Sequence, residues 1–387
     1  VSGGASWSAT FFVTEAHYGF SAEKNLALAA AMGVVYAFVA RAAGPFLRRF
    51  TAVAPRSVLA AALAVWGISS LAPLANPGVE LLLWLAALVA AVAAGIVWPI
   101  VESYLGAGRH GEDLRRAIGL FNVTWTLSVA LPLFFMPWFQ RSFHVLLTLG
   151  ISAVVNALAL PFVSMLARAP GSEEHQALET GVGPEYPWLL RSVSWLLPLS
   201  YLMSATLSPI LPHRLDAVGA LSVAPSIVGA TWMVTRFATL AVMSRVLFWH
   251  GKWSVLVMAG GALAGGLALV LLGRTSAGIV AGLALFGVGM GLTYRLALYY
   301  ALAVGKGAVD AGGGFEALIG LGYFVGPVVG LCGRGLGGHE GAASATVGLT
   351  WLVAGLTALL ALRPYVEARK RRRAAGPVGG WGPGPTR

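Results

Sequence analysis

Charged side chains are rare in this chain, and several stand inside long apolar stretches. There a charge costs at least ~2.5–3.5 kcal/mol to place in lipid, so one that persists usually faces a cavity. Glu316 follows a run of small residues, Ala311 to Gly314, that lets a neighbouring helix or a substrate approach the backbone. Its carboxyl could take up a proton and release it as a cavity opens to either side. The competing reading is an acid that complements the dipole at a helix N-terminus. Arg295, in Tyr294-Arg-Leu-Ala-Leu-Tyr-Tyr300, is deeper. It needs a carboxylate, a carbonyl cluster or an anionic substrate, unless it snorkels to the headgroups. Three-residue spacing puts Leu298 on its face, with Tyr294 and Tyr299 read as lying off it. Arg236 stands four residues after Trp232, so a cation and an aromatic wall share a face. They either line a cavity or pack as a cation–π pair. Asn122 and Trp125 open another apolar stretch, where Asn could contact substrate or hold helices together. Glu102, near Arg109, Arg115 and Arg116, could close an inner gate as an ion pair, against the commoner reading of a surface pair. Arg41, near the end of its stretch, reads as snorkelling, and Glu15 and His17 read as outer-end groups, either titratable or simply wet loop residues.

Other chemistries lack their residues. The seven His are scattered, with no pair at metal-ligand spacing on a helix. Cys332 is the single cysteine, so no disulfide within the chain and no thiolate metal site can be built; it reads as a buried, inert thiol. No Gly-x-x-x-x-Gly-Lys-Ser/Thr loop cradles a nucleotide phosphate. The expectation is a protein that is not an enzyme and needs no cofactor. A net charge of +11 would suit nucleic acid, yet membrane proteins gather Lys and Arg in cytoplasmic loops, and no nucleic-acid partner is expected.

The elements that must position these residues are membrane spans. Hydrophobic residues make up 57% of the chain and charged ones 11%, against about 25% charged in soluble domains. With a mean hydropathy of +0.77, most of the surface must face lipid. A span needs about 20 apolar residues. Twelve are expected, near 1–18, 25–47, 57–75, 79–104, 115–137, 143–166, 188–212, 221–247, 253–273, 276–303, 313–334 and 344–365. The first is short and reads as a helix without its front. One set of alternate loops and the tail carries 17 Lys and Arg: Arg48, Arg49, Arg56, Arg109, Arg115, Arg116, Arg168, Arg191, Arg245, Lys252, Lys306, Arg363, Arg369, Lys370, Arg371, Arg372 and Arg373. The other set carries 5: Lys24, Arg141, Arg214, Arg274 and Arg334. The richer set is assigned to the cytoplasm, which puts the C-terminus inside a plasma (inner) membrane. Four units follow: a six-helix half over 1–166, a flexible acidic linker over 167–187, a second six-helix half over 188–365, and a basic Gly/Pro-rich tail over 366–387. The run from Arg369 to Arg373 could lie against anionic headgroups or act only as a positive-inside stop signal.

Six spans, a linker and six spans suggest a duplication. Gly119-Leu-Phe-Asn122 with Pro132 matches Gly313-Gly-Phe-Glu316 with Gly326-Pro327, each polar residue standing ten before the Pro132 or Gly326 position. The layout resembles the major facilitator superfamily. Where that family carries a Gly-x-x-x-Asp-Arg-x-Gly-Arg-Arg loop after helix 2, this chain reads Gly44-Pro-Phe-Leu-Arg-Arg-Phe50. Gly44 and the Arg48–Arg49 pair match; the Asp is missing, so the charge relay built there lacks its acid. Trp98-Pro-Ile-Val-Glu-Ser-Tyr-Leu105 is similar to the family's helix 4. Gly326-Pro-Val-Val-Gly330 is similar to a pattern in helix 5 of its antiporters, here in the other half. The resemblance implies an all-α bundle of 6+6 helices that moves a small organic solute by alternating access. A monomer in the lipid bilayer is expected, with protons as a coupling ion. It places the cavity between helices 1, 4, 5, 7, 8, 10 and 11. Candidate pathway residues are Glu316, Arg295, Arg236, Trp232, Asn122 and Trp125; gating candidates are Glu102, Arg109, Arg49 and Gly44. The alternative is a non-transporting member of the same fold that handles lipid or serves as a sensor or scaffold.

Overall fold

The computed structural model describes residues 1–50, 52–109, 111–170, 185–218, 223–305 and 309–374. Most of the expected linker (171–184), Lys306 and the tail beyond residue 374 lie outside the described residues.

Twelve helices follow in chain order. α1 joins Ser2–Gly4, a π-helical turn over Ala5–Ala9, and Thr10–Tyr18. α2 is Ala22–Arg49, α3 is Pro55–Ser69 with an extension Ala72–Ala75, and α4 is Glu80–Gly106. α5 is Gly111–Ser142, α6 Leu147–Ser164 and α7 Tyr186–Val218. α8 joins Pro225–Gly229 to Thr231–Arg245; α9 is Trp253–Leu272 and α10 Ser276–Gly305. α11 is Gly313–Gly338 and α12 Glu340–Arg371. Among the described residues, eleven helices, α2 to α12, are long and apolar enough to cross a membrane. No residue there is in a strand.

Local chemistry sets the ends. Ser21 caps α2 by accepting from the Lys24 amide at 3.3 Å. Pro55 and Pro225 open α3 and α8, where a missing N–H costs nothing. Between α11 and α12 the chain turns at Gly338 alone (φ 56°, ψ −159°), a conformation that a Cβ would oppose. α7 runs on past Pro212, where the sequence reading stopped it. Asn25 Nδ2 on α2 donates to the Pro209 carbonyl at 3.5 Å and ties this stretch of α7 to α2.

Helices pack through small residues. A Cβ on Gly33 of α2 would lie 2.4 Å from the backbone of Tyr323 on α11, and one on Gly320 of α11 would lie 2.5 Å from Ala37 Cα on α2. Gly326 of α11 meets the Leu202 carbonyl of α7, and Thr206 Oγ1 donates to the Gly326 carbonyl at 2.8 Å. The two glycines matched in the sequence both sit at close helix contacts. Gly119 on α5 faces Ser244 on α8, and Gly313 on α11 faces Ala40 on α2. Each matched glycine thus packs its helix against the opposite six-helix set. Cys332, expected to be buried, is exposed. It continues the outward stripe of Leu321, Phe324 and Val328 on α11, whose other faces are taken by α2 and α7.

Candidate functional site

A cavity of about 70 Å³ lies where the two six-helix sets meet. That is room for a few waters, well below the 300–1,000 Å³ of sites that hold organic ligands. The site is therefore shut around its own side chains. Polar contacts join the two six-helix sets at both ends. At the end bearing the basic loops, Arg295 Nη2 on α10 donates to the Arg115 carbonyl on α5 at 3.2 Å. At the opposite end, His213 Nδ1 on α7 lies 3.0 Å from Glu15 on α1, and Arg334 on α11 pairs with Glu23 on α2.

Aromatic rings form the walls. Trp7 on α1 stacks on Tyr323 of α11 at 4.3 Å and 18°, and meets Tyr36 of α2 edge-on at 5.5 Å. Trp98 on α4, Trp125 on α5 and Tyr294 on α10 continue the ring, with neighbouring centroids 5.8 and 5.4 Å apart. Tyr201 on α7 closes it against Tyr323 at 5.1 Å. Trp232 and Arg236 of α8 both face this space, as their four-residue spacing implied. Arg236 does not lean on Trp232. Its guanidinium lies 4.6 Å from the Trp125 ring centre and 4.9 Å from that of Tyr294, and Nη2 donates to the Tyr201 hydroxyl at 3.0 Å. Its Nε has no partner.

The acids are on the other side. Glu316 and Ile319 project from α11 with Tyr323, at helical spacing. Tyr36 donates its hydroxyl proton to Glu316. Glu102 of α4 stands close enough to Glu316 for the two carboxyls to interact, and Glu316 is within electrostatic reach of Arg236. Glu102 is 0% exposed, Glu316 3% and Arg236 4%. No donor reaches either oxygen of Glu102. A proton placed between the two carboxyls would supply that donor and remove one of two like charges from a region where unpaired charge is costly.

Several expectations need correction. Glu102 makes no gating ion pair with Arg109. Arg109 donates to the Tyr104 and Leu105 carbonyls at 2.8 Å, and Arg115 and Arg116 approach Glu112. The cause is position on the helix: Glu102 faces the core of the bundle, and the Arg109 side chain turns back onto the end of α4. Arg295 is not in the cavity and does not snorkel; it is 0% exposed, with Nε and Nη1 unpartnered, over the Trp249 ring at 5.3 Å. Tyr299, read as lying off its face, is an electrostatic neighbour, as four-residue spacing on a helix allows. Asn122 is buried beside the cavity. Its Oδ1 accepts from Trp125 Nε1 at 3.4 Å and its Nδ2 is unpartnered. Gly44 is buried near the end of α2, while Arg49 and Arg41 are exposed. α2 joins the expected cavity helices through Ala29 and Tyr36. The sequence reading missed Tyr36, Tyr201, Tyr323, Trp7 and Trp98. The stripe Tyr201, Ser204, Ala205, Ser208, at i, i+3, i+4, i+7 in an apolar span, was the available signal.

The sequence matches the family model described as Major Facilitator Superfamily over residues 1–327. The chain belongs to that superfamily. It is an integral membrane protein with the superfamily's transporter fold. Among solved structures, this facilitator is similar to the human organic anion transporter MFSD10 (TETRAN), with TM-score 0.64 and 16% identity over 91% of this chain and 89% of that one. It is similar to the nucleoside transporter NupG, with TM-score 0.62 and 12% identity over 94% and 95%. The E. coli fucose:proton symporter FucP gives TM-score 0.57 and 12% identity over 93% and 97%. At these identities the likeness is one of fold. No curated protein sequence matches the chain.

Proposed function

We propose that the chain is a secondary transporter that moves a small organic solute by alternating access, driven by a proton exchanged at Glu316 and Glu102. The observation that carries this reading is the closed cavity between the two six-helix sets. It brings one cation, Arg236, and the Glu316 carboxyl together inside aromatic walls, with Glu102 behind. A proton and the Arg236 cation would compete to neutralise the carboxyl pair. Proton uptake then frees Arg236 for a substrate anion, and proton release returns Arg236 to the acids.

The walls favour a solute with a flat apolar body, since ring faces contribute ~0.5–1.5 kcal/mol each beyond the area they bury. The unpartnered Nε of Arg236 favours one anionic group on that solute. MFSD10 is named as an organic anion transporter, which is in keeping with this class. The two halves, 1–166 and 188–365, would rock about the site, with the basic loops on the cytoplasmic side of a plasma membrane and the monomer as the working unit. The test is uptake of a panel of radiolabelled aromatic monocarboxylates into proteoliposomes with an imposed pH gradient. E316Q should lose gradient-driven accumulation and keep downhill exchange. Full gradient-driven accumulation by E316Q would overturn proton coupling at this site.

A further inference from the structure

A second cavity, outside the transport pathway, opens on the flank of the bundle. It is a groove of about 760 Å³ between α7, α9 and α12. Leu196 and Leu199 form its floor, and Leu256, Val257, Ala354 and Leu362 are among its walls. Val257, Trp351 and Leu362 are exposed, so the groove faces the hydrocarbon rather than the interior. Glycines deepen it. A Cβ on Gly261 or Gly355 would meet nothing within 4 Å.

Its length is informative. Along α9 the lining runs from Trp253 to Ala264 and along α12 from Trp351 to Tyr365, eleven and fourteen steps or about 17 and 21 Å at 1.5 Å per residue. A leaflet's share of the hydrocarbon is about 15 Å, half of ~30 Å. The groove therefore covers one leaflet and stops short of the full thickness. A helix of another chain, or of a second copy, would need the full thickness.

Its charge is one-sided. Trp253 and Tyr365 meet edge to face at 5.0 Å and close the end nearest the basic loops, at the level where such rings settle among headgroups. Beyond them stand Lys252, adjacent to Trp253, and Arg369, one turn past Tyr365 on the same face of α12; both are exposed. On α7, Trp188 lies two turns before Leu196 and is bracketed by Arg191 at 4.9 Å and Arg371 at 5.1 Å. Among the described residues, the acids on α7 and α12 nearest this end are Glu185, just before α7, and Glu367. Glu367 is two residues from Tyr365 and so on the opposite side of α12.

We infer that this groove is a binding site for an anionic phospholipid of the leaflet at the basic end. One acyl chain fills the groove, and the phosphate sits above the Trp253–Tyr365 pair between Lys252 and Arg369. The basic run at the end of α12 thereby gains a specific ligand in place of a diffuse attraction to the membrane.

The full chain is purified and placed in nanodiscs of phosphatidylcholine carrying a trace of phosphatidylglycerol with a diazirine on its acyl chain. Illumination and peptide mapping should place the label on residues 256–264 and 354–362. Native mass spectrometry should show one retained phosphatidylglycerol per monomer, displaced poorly by phosphatidylcholine. Each cation near a membrane surface is worth about 1 kcal/mol, about five-fold in affinity. K252Q/R369Q should therefore weaken phosphatidylglycerol retention about 25-fold and leave phosphatidylcholine unchanged. G261L/G355L fills the groove without touching internal packing and should abolish both labelling and retention while the protein stays monodisperse. Equal retention of the two lipids, labelling spread evenly over the lipid-facing helices, or unchanged retention in G261L/G355L would each overturn the site. So would a dimer joined through this face, shown by disulfide capture of V257C copies.

Discussion

Arg236 is held by ring faces and one tyrosine hydroxyl, and among the described residues no carboxylate lies within ion-pair distance of it. A flat guanidinium suits that setting, and a lysine ammonium cannot reproduce it. R236K should keep the charge and still weaken binding of an anionic solute about ten-fold or more, read by isothermal titration of the purified protein. A second residue-scale prediction concerns His250, in the loop between α8 and α9. It stacks on Trp249 at 3.7 Å, and burial, with the Arg115 and Arg295 cations nearby, holds its pKa below the usual imidazole value. The neutral ring is thus the form that the latched state favours. The stabilisation is complete above about pH 6.5 and is lost as pH falls below it, because the released state takes up a proton that the latched state resists. Cysteine pairs across the Arg295–Arg115 latch should become more reactive to a membrane-impermeant maleimide on acidification, and H250Q should flatten that response. Sequence reading singled out Glu316 and Arg236, which both line the cavity, because a charge in an apolar run is conspicuous. It missed Tyr36 and Tyr201 because a tyrosine in such a run is not.

At the scale of the helix, α2 and α11 touch through facing small residues, with Gly33 against the Tyr323 backbone and Gly320 against Ala37. Backbone cannot give way as a flexible side chain can, and overpacking typically costs about 1–3 kcal/mol. G33L should lower the melting temperature in detergent and separate the Tyr36–Glu316 hydrogen bond that the close approach permits. A leucine at Gly348, where nothing lies within 4 Å, should leave the melting temperature unchanged. The helices themselves were legible: every expected span lies on a helix, most bounds differing by a few residues. Hydropathy sees length well. It missed the continuation of α7 because Pro209 and Pro212 look like stops in a sequence, although the helix runs through both. It also misjudged Cys332, since which stripe of a wholly apolar helix faces outward depends on its partners.

For the whole molecule, the two ends of the cavity are closed by unlike devices. The basic end uses a buried Arg295–carbonyl bond. The other uses the Glu23–Arg334 and Glu15–His213 pairs, which are partly exposed. Partly exposed pairs are worth about 0–1 kcal/mol, so R334Q should shift the balance toward opening at that end by up to about five-fold. Spin-label distances between the α2 and α11 ends would show a larger long-distance population; an unchanged distribution would exclude the pair as a latch. Twelve helices were legible as a count of apolar spans. The central site was not, because it forms only where faces of eight helices meet, and one sequence leaves their rotations free.

The π-helical turn at Ala5–Ala9 holds one more residue than an α-helix of the same height needs. Trp7 sits within it, and Gly4 just before it lies against the Val129 carbonyl on α5. In genetic terms the turn has the form of a one-codon insertion. Deleting Ala5 should therefore be tolerated better than deleting a residue from the regular part of α1. The first lets the turn close as an ordinary helix with Gly4 still against α5; the second swings the chain before it by about 100° and turns Gly4 off α5.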